Sequence, residues 1–228
     1  MRRGAPLILF DLDGTLLTFE GPGLGPGRAA LALAMRDLFG IADATEGIRL
    51  EGATDMGVVA TMLERAGQTP SSDAIARVLG HYVEHLSRQL RTRTYRPIGA
   101  VATTVATLRG AGVLVGLGTG NVLEGARLKL RAAGLEDLFD LDLGGYGGDS
   151  AVRSEILAIA VSRCDAAPGT PVVVVGDTRH DVSAARAIGA KAVGVATTRD
   201  AFVELSRAGA DHIVEACNDE LVRYVLNA

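Results

Sequence analysis

A chain of 228 residues with 48% hydrophobic and 22% charged residues is long enough for one well-buried domain plus a smaller second unit, and this composition excludes wholesale disorder. Its formal net charge of −4 and pI near 5.6 leave no electrostatic footprint for a nucleic-acid backbone or an anionic membrane, so neither is expected as a partner. Only two cysteines occur, Cys164 and Cys217, both in apolar helix-like segments and in no metal-ligand spacing, which predicts buried thiols in a reducing compartment.

The first six residues, Met-Arg-Arg-Gly-Ala-Pro, have the basic start of a signal peptide, but the apolar run Leu7 to Phe10 meets Asp11 after four residues, too soon for an export segment. No stretch reaches the roughly 18 uncharged apolar residues of a transmembrane helix, and the expectation is a cytoplasmic protein. Short apolar runs at Leu7 to Phe10, Val113 to Leu117, Phe139 to Leu143, Pro171 to Val175 and Ala192 to Val195 read as buried parallel strands. Helical patterns at Ile98 to Arg109, Val122 to Ala133, Ser154 to Cys164, Asp181 to Ile188 and Ala201 to Ala208 alternate with them, several closed by glycine (Gly112, Gly134, Gly189). This alternation predicts an α/β fold with a doubly wound, Rossmann-like parallel sheet.

About 100 residues separate Thr15 from Thr119, too many for one crossover, so a subdomain is inserted after the first strand. Arg28 to Phe39, Asp55 to Ala66 and Asp73 to Leu90 read as helices, the last behind a cap-like Ser72 and with Ile75, Val78, Leu79, Tyr82, Val83, Leu86 and Leu90 on one face. The expected division is a catalytic core of residues 1–17 and 96–228 and an all-helical insert of residues 18–95, hinged at Gly21 to Gly27 and Arg91 to Pro97.

The first strand ends in Asp11-Leu12-Asp13-Gly14-Thr15, which projects two carboxylates from the edge where such sheets bind ligands. Carboxylates this close repel, so a divalent cation or a raised pKa should accompany them, and a hard ion such as Mg²⁺ fits; the plain alternative is an Asp-Gly turn. Val172 to Val175 leads into Gly176-Asp177-Thr178-Arg179-His180-Asp181, where Asp177 would complete the metal site and Asp181 either joins it or caps the next helix. His180 receives no role. Gly118-Thr119-Gly120-Asn121 opens a helix, whose free N–H groups favour a phosphate, although Thr119 and Asn121 also suit plain caps.

These three elements stand in the order DxDGT, Thr or Ser, GDxxxD, and the chain resembles the haloacid dehalogenase (HAD) superfamily over essentially its whole length. The helical insertion directly after the first motif is similar to the cap of phosphoglycolate-phosphatase-like members. The resemblance implies that Asp11 attacks phosphorus to give an aspartyl-phosphate, and that Asp13 acts as acid and then base. Asp11, Asp177, the Asp13 backbone carbonyl and Asp181 would hold Mg²⁺, while Thr119, with Gly120 and Asn121, would bind the phosphoryl oxygens. The superfamily's lysine before the last motif is missing here. Arg153, in Gly148-Asp149-Ser150-Ala151-Val152-Arg153, occupies the equivalent position and can grip phosphate bidentately; all but two of the 23 basic residues are arginine, and of Lys129 and Lys191 only Lys129 competes, though its ordinary reading is a helix-surface lysine. Gly52-Ala53-Thr54-Asp55 resembles a Gly-Arg/Lys-Thr-Asp segment of some relatives with Ala53 replacing the basic residue, and Thr54 then reads as an N-cap.

The rivals are weaker. His81-Tyr82-Val83-Glu84-His85 matches the HxxEH pattern of inverted zinc peptidases on a helix whose apolar stripe is already complete, so two solvated or interfacial histidines are the plainer expectation. Dehalogenation is disfavoured by Asp13, which that reaction does not need as an acid, and a binding or regulatory protein is disfavoured by the intact Asp11, Asp13, Thr119 and Asp177. The expected substrate is a small phosphorylated metabolite under a closing cap, hydrolysed by a phosphatase or rearranged by a phosphomutase on the same core. No feature of the sequence specifies an oligomeric state.

Overall fold

The computed structural model describes residues 6–227, so the basic Met1 to Ala5 start lies outside the described residues. Its centre is strand β1 (Leu7–Phe10). Alternate side chains of β1 enter different cores: Ile8 and Phe10 join one apolar cluster, Leu7 and Leu9 another. A strand buried on both faces needs an unbroken apolar run, and LILF supplies one.

The insert follows through a short strand β2 (Leu17–Phe19) and helices α1 (Pro26–Phe39), α2 (Asp55–Arg65) and α3 (Ser72–Gln89). Pro26 sits in the first turn of α1, Thr54 caps α2, and Ser71, one residue before the expected Ser72, caps α3 by accepting from the Ala74 N–H at 3.2 Å. The stripe read on α3 is real: Val78, Tyr82 and Leu86 are buried against Leu31, Met35 and Met62, with Ile75, Leu79, Val83 and Leu90 packed at the margin. Strand β3 (Tyr95–Pro97) ends the insert and pairs antiparallel with β2, Leu17 opposite Pro97 and Phe19 opposite Tyr95. The ends of the insert are therefore tied to each other by a two-stranded ribbon, whose second strand occupies the end of the Arg91 to Pro97 segment expected as a hinge.

The remaining chain runs α4 (Val101–Gly110), β4 (Leu114–Leu117), α5 (Leu123–Ala132), α6 (Arg153–Arg163), β5 (Val172–Gly176), α7 (Arg179–Ala187), β6 (Lys191–Val195), α8 (Arg199–Ala208), β7 (His212–Val214) and α9 (Asp219–Leu226), with helices and strands as predicted from α4 to α8 apart from the segment between α5 and α6. The five-stranded sheet has the order β4-β1-β5-β6-β7 and every pairing is parallel. Helices α4, α5 and α9 cover one face, and α6, α7 and α8 the other.

Phe139 to Leu143 is not a strand. Leu141–Leu143 is a single 3₁₀ turn capped by the Asp140 carboxylate, and strand-like pairing comes only after it among the described residues, in an isolated bridge between Gly118 and Gly145. The segment alternates apolar residues with Asp140 and Asp142, a one-sided pattern that a strand buried on both faces cannot use. Its apolar members still reach the core, Phe139 lying edge-on to Phe10 at 6.4 Å between ring centroids. The fifth strand is β7, three residues long and invisible to a search for apolar runs.

Candidate active site

The register of β1 sets Phe10 beside Leu117 on one side and Val175 on the other, so Asp11, Gly118 and Gly176 leave the sheet at one level. Beyond β1 the chain turns at once, with the Leu12 carbonyl accepting from the N–H groups of Thr15, Leu16 and Leu17. Gly14 adopts φ +78°, and a Cβ there would run into the Asp177 carboxylate. Only glycine serves at that position, because both backbone conformation and space exclude a side chain.

Asp11, Asp177 and Asp181 each offer an oxygen within 4.8 Å of the others. Arg153, first residue of α6 and buried, sets Nη2 2.8 Å from Asp11 Oδ1 and 2.7 Å from Asp181 Oδ1. These are charge contacts without aligned hydrogen bonds: among the described residues neither Nε nor Nη2 has a well-directed acceptor. Asp181 caps the next helix and also stands within the carboxylate cluster. Its Oδ2 accepts from the Thr178 N–H at 3.0 Å and hydroxyl at 2.7 Å, closing a capping box on α7, while Oδ1 faces Arg153.

The electrostatics follow from three carboxylates sharing one guanidinium. Burial pushes Asp11 up to about 6, Arg153 pulling against it and Asp181 and Asp13 adding to it. Burial and then the charges of Asp11 and Asp181 push Asp177 up to about 8. A buried, oxygen-only donor set with surplus negative charge is the donor chemistry of a hard divalent cation, so the residues present fit a metal.

The other half of the site faces the insert. Thr119 is fully buried, its N–H donating to the Gly145 carbonyl at 3.0 Å and its hydroxyl oxygen accepting from Asn121 Nδ2 at 2.9 Å. Asn121 Nδ2 also donates to Asp13 Oδ2 at 2.9 Å. Lys129 is not a surface lysine: it is buried, and its Nζ donates to Asp13 Oδ2 and to Asn121 Oδ1, each at 2.6 Å. Burial disfavours its charge, but Asp13, Tyr95, Tyr82 and Asp55 together hold the ammonium's pKa well above its ordinary value. Helix α5 looked exposed in sequence because the insert that covers it lies far away along the chain.

Gly120 presses so closely on the insert that a Cβ would strike the Ala53 carbonyl oxygen. The Asp55 N–H donates to the Gly120 carbonyl at 2.7 Å, and Asp55 Oδ2 accepts from the Val122 N–H at 2.8 Å. Burial pushes Asp55 up to about 6, with Lys129 and that N–H opposing. Thr54 caps α2 as read, accepting from Gly57 N–H at 3.1 Å, and its hydroxyl donates across to the Ala151 carbonyl at 3.2 Å. Sequence reasoning missed Asp55, Tyr82 and Tyr95 as residues lining the cavity between insert and core. The only signal for Asp55 was its place in Gly52-Ala53-Thr54-Asp55; Tyr82 was absorbed into the core stripe of α3.

Between insert and core lies a cavity of about 290 Å³ lined by Asp13, Asp55, Tyr82, Tyr95, Asn121 and Lys129. A second of about 230 Å³ adjoins it, lined by Asp11, Asp13, Gly52, Arg153 and Asp177. Asp13 belongs to both. Of the residues read from sequence, Asp11, Arg153 and Asp177 line the smaller space with Asp181 buried beside them, Gly120 and Asn121 line both, and Lys129 lines the larger; His180 is exposed on the first turn of α7.

The sequence model of the haloacid dehalogenase-like hydrolases matches residues 5–189. The chain is 32% identical over 197 residues to probable phosphatase IndB of Dickeya dadantii, spanning 83% of this chain and 80% of that protein. It is 30% identical over 188 residues to a phosphoglycolate phosphatase of Cereibacter sphaeroides, spanning 81% and 82%. Its fold superposes on that of β-phosphoglucomutase from Clostridium difficile with a TM-score of 0.67 at 17% identity, covering 98% of this chain and 97% of that one. The chain belongs to the haloacid dehalogenase-like hydrolase family, and within it is a phosphatase.

Proposed function

We propose that the protein is a Mg²⁺-dependent phosphatase that hydrolyses a small phosphomonoester through an aspartyl-phosphate on Asp11. The observation that carries this reading is the meeting of Asp11 with Arg153, Asp177 and Asp181 at the edge of one cavity, while Asp13 borders both that cavity and the larger one. The phosphoryl group would occupy the smaller space and the leaving group the larger. Asp11 attacks phosphorus in line, forming an O–P bond as the ester O–P bond breaks. Asp13 delivers a proton to the departing alkoxide, then takes one from the water that cleaves the aspartyl-phosphate and releases inorganic phosphate. Both donors to Asp13, from Asn121 and Lys129, fall on Oδ2, which leaves Oδ1 for the leaving group.

Arg153, with an unused Nε, and the Thr119 hydroxyl hold the phosphoryl oxygens, assisted by Gly120 and Asn121. Asp11, Asp177 and the Asp13 backbone carbonyl, with Asp181 beside them, would hold Mg²⁺, which supplies charge neutralisation at the transferring phosphoryl group. Lys129 orients Asp13, and Arg153 is the phosphate-neutralising cation.

The helical insert, residues 18–95, acts as a cap that opens on the β2–β3 ribbon and closes through Ala53, Thr54 and Asp55 to exclude water. A cavity of about 290 Å³ suits a small metabolite, the class that includes the phosphoglycolate named for the Cereibacter relative. Among the described residues no helix is long and apolar enough to cross a membrane, and Cys164 and Cys217 are buried free thiols; a cytoplasmic setting accords with both.

The test is inorganic phosphate release from a panel of small phosphomonoesters, with and without Mg²⁺, by the native protein and by Asp11→Asn. Release that needs both the metal and Asp11 is the expected result; release by Asp11→Asn at the native rate overturns the mechanism, and no release from any ester directs the search to a phosphomutase assay.

A further inference from the structure

The match to HxxEH on α3 has a different meaning in three dimensions from the one its pattern suggests. Glu84, the general base of that pattern, pairs with Arg88 at 3.3 Å and is not in the cluster that the histidines form. Their neighbour is Asp37, from the last turn of α1. Asp37, His81 and His85 each offer a ligand atom within 4.8 Å of the others. His81 and His85 lie four residues apart and so project from the same side of α3. His85 is buried and its Nε2 is 2.8 Å from Asp37 Oδ2, while Asp37 is exposed and His81 half-buried.

We propose that Asp37, His81 and His85 form a transition-metal site, suited to Zn²⁺, that pins α1 to α3 within the insert and keeps one coordination position open to water. Two imidazoles and one carboxylate are the donor set of zinc and its neighbours, whereas Mg²⁺ selects oxygen ligands throughout. The site is therefore chemically distinct from the carboxylate cluster of Asp11, Asp177 and Asp181, and it stands apart from the phosphatase reading. With bonds of about 2.0–2.1 Å, tetrahedral ligands lie roughly 3.3 Å apart, so binding needs the His85–Asp37 contact to open slightly and His81 to draw in. Side-chain motion suffices for that, since Asp37 is exposed and His81 makes no hydrogen bond among the described residues. Hydrogen bonding to His85 already holds Asp37 below its usual carboxylate range, so the carboxylate is in its ligating form. Arg36 Nε lies 3.8 Å from Asp37 Oδ1, on the oxygen that His85 does not contact. With no base in reach, the site binds metal and carries out no hydrolysis of its own.

The test is a Co²⁺ titration of the full chain in excess Mg²⁺, read by visible ligand-field absorption, followed by displacement with Zn²⁺ and by thermal unfolding with and without Zn²⁺. One Co²⁺ per chain with a tetrahedral spectrum, displaced by Zn²⁺, is expected, together with a Zn²⁺-dependent rise in Tm. His81→Gln abolishes both while leaving Mg²⁺-dependent phosphate release unchanged, and Asp37→Asn weakens Co²⁺ binding at least tenfold. His85 is buried, and His85→Gln risks misfolding; the two more exposed variants carry the test. Absence of the absorption band, or a band unaltered in His81→Gln or Asp37→Asn, overturns the proposal.

Discussion

The two halves of the active site differ in charge balance. On the sheet side, Asp11, Asp177 and Asp181 share a single guanidinium, and burial with mutual repulsion raises Asp11 and Asp177 to about 6 and about 8. On the insert side, one ammonium, Lys129, faces Asp13 directly with Asp55 nearby, and the charges are hydrogen-bonded into a chain with Asn121. The first half has surplus negative charge and calls for a cation. The second is complete with protein groups alone, which is what a positioned acid requires: catalytic geometry held before substrate arrives.

The largest expected effect tests the sheet side. Asp11→Asn removes the proposed nucleophile and should lower kcat on the order of 10⁴-fold or more, with unfolding by denaturant close to native. A variant retaining a tenth of native turnover breaks the assignment.

Next comes the charge surplus itself. Because Asp11 and Asp177 have folded values above their usual 3.8, the metal-free folded chain keeps protons that the unfolded chain has already released. Such groups lower stability as pH rises from about 4 to about 8, the opposite of a paired carboxylate. The metal-free Tm should therefore fall between about pH 5 and about pH 8, and the stabilisation by Mg²⁺ should grow over the same interval as the cation displaces those protons. Thermal unfolding across that range checks both signs, and a metal-free Tm that climbs instead means the surplus is not there.

A smaller effect probes the insert side. Lys129→Met leaves Asp13 without its strongest donor and should lower kcat roughly 10- to 100-fold through misplacement of the acid, with little change in Mg²⁺ affinity. Equal losses in turnover and in metal affinity would erase the distinction between the halves. Smallest is Thr54→Ala, which deletes the α2 cap and the contact to Ala151, and should cost about 1 kcal/mol in denaturant unfolding.

What was readable in the amino-acid order was local. Asp11 and Asp13 end an apolar run, Asp177 ends another, and a parallel sheet sets such run ends side by side because its register is regular. Arg153 came from the family resemblance instead, as the basic residue standing where the superfamily has a lysine. The strand at Phe139 to Leu143 failed because alternation was read as burial on both faces, and β7 was missed because three residues give no period to detect. Cap identity slipped by one residue at Ser71 for the same reason, since neighbouring serines present the same pattern.

The sequence by itself determined the α/β core, the place of the insertion and the order of the chemical motifs, since each is a pattern within a few residues of chain. Only the tertiary structure decided that Lys129 is buried on Asp13, that Asp55 takes the Val122 N–H, and that Asp37, 44 residues before His81 in the sequence, stands beside it. Those contacts join segments that no periodicity links, and they exist because the ribbon of β2 and β3 and the packing of α1 on α3 fold the insert back over the sheet edge.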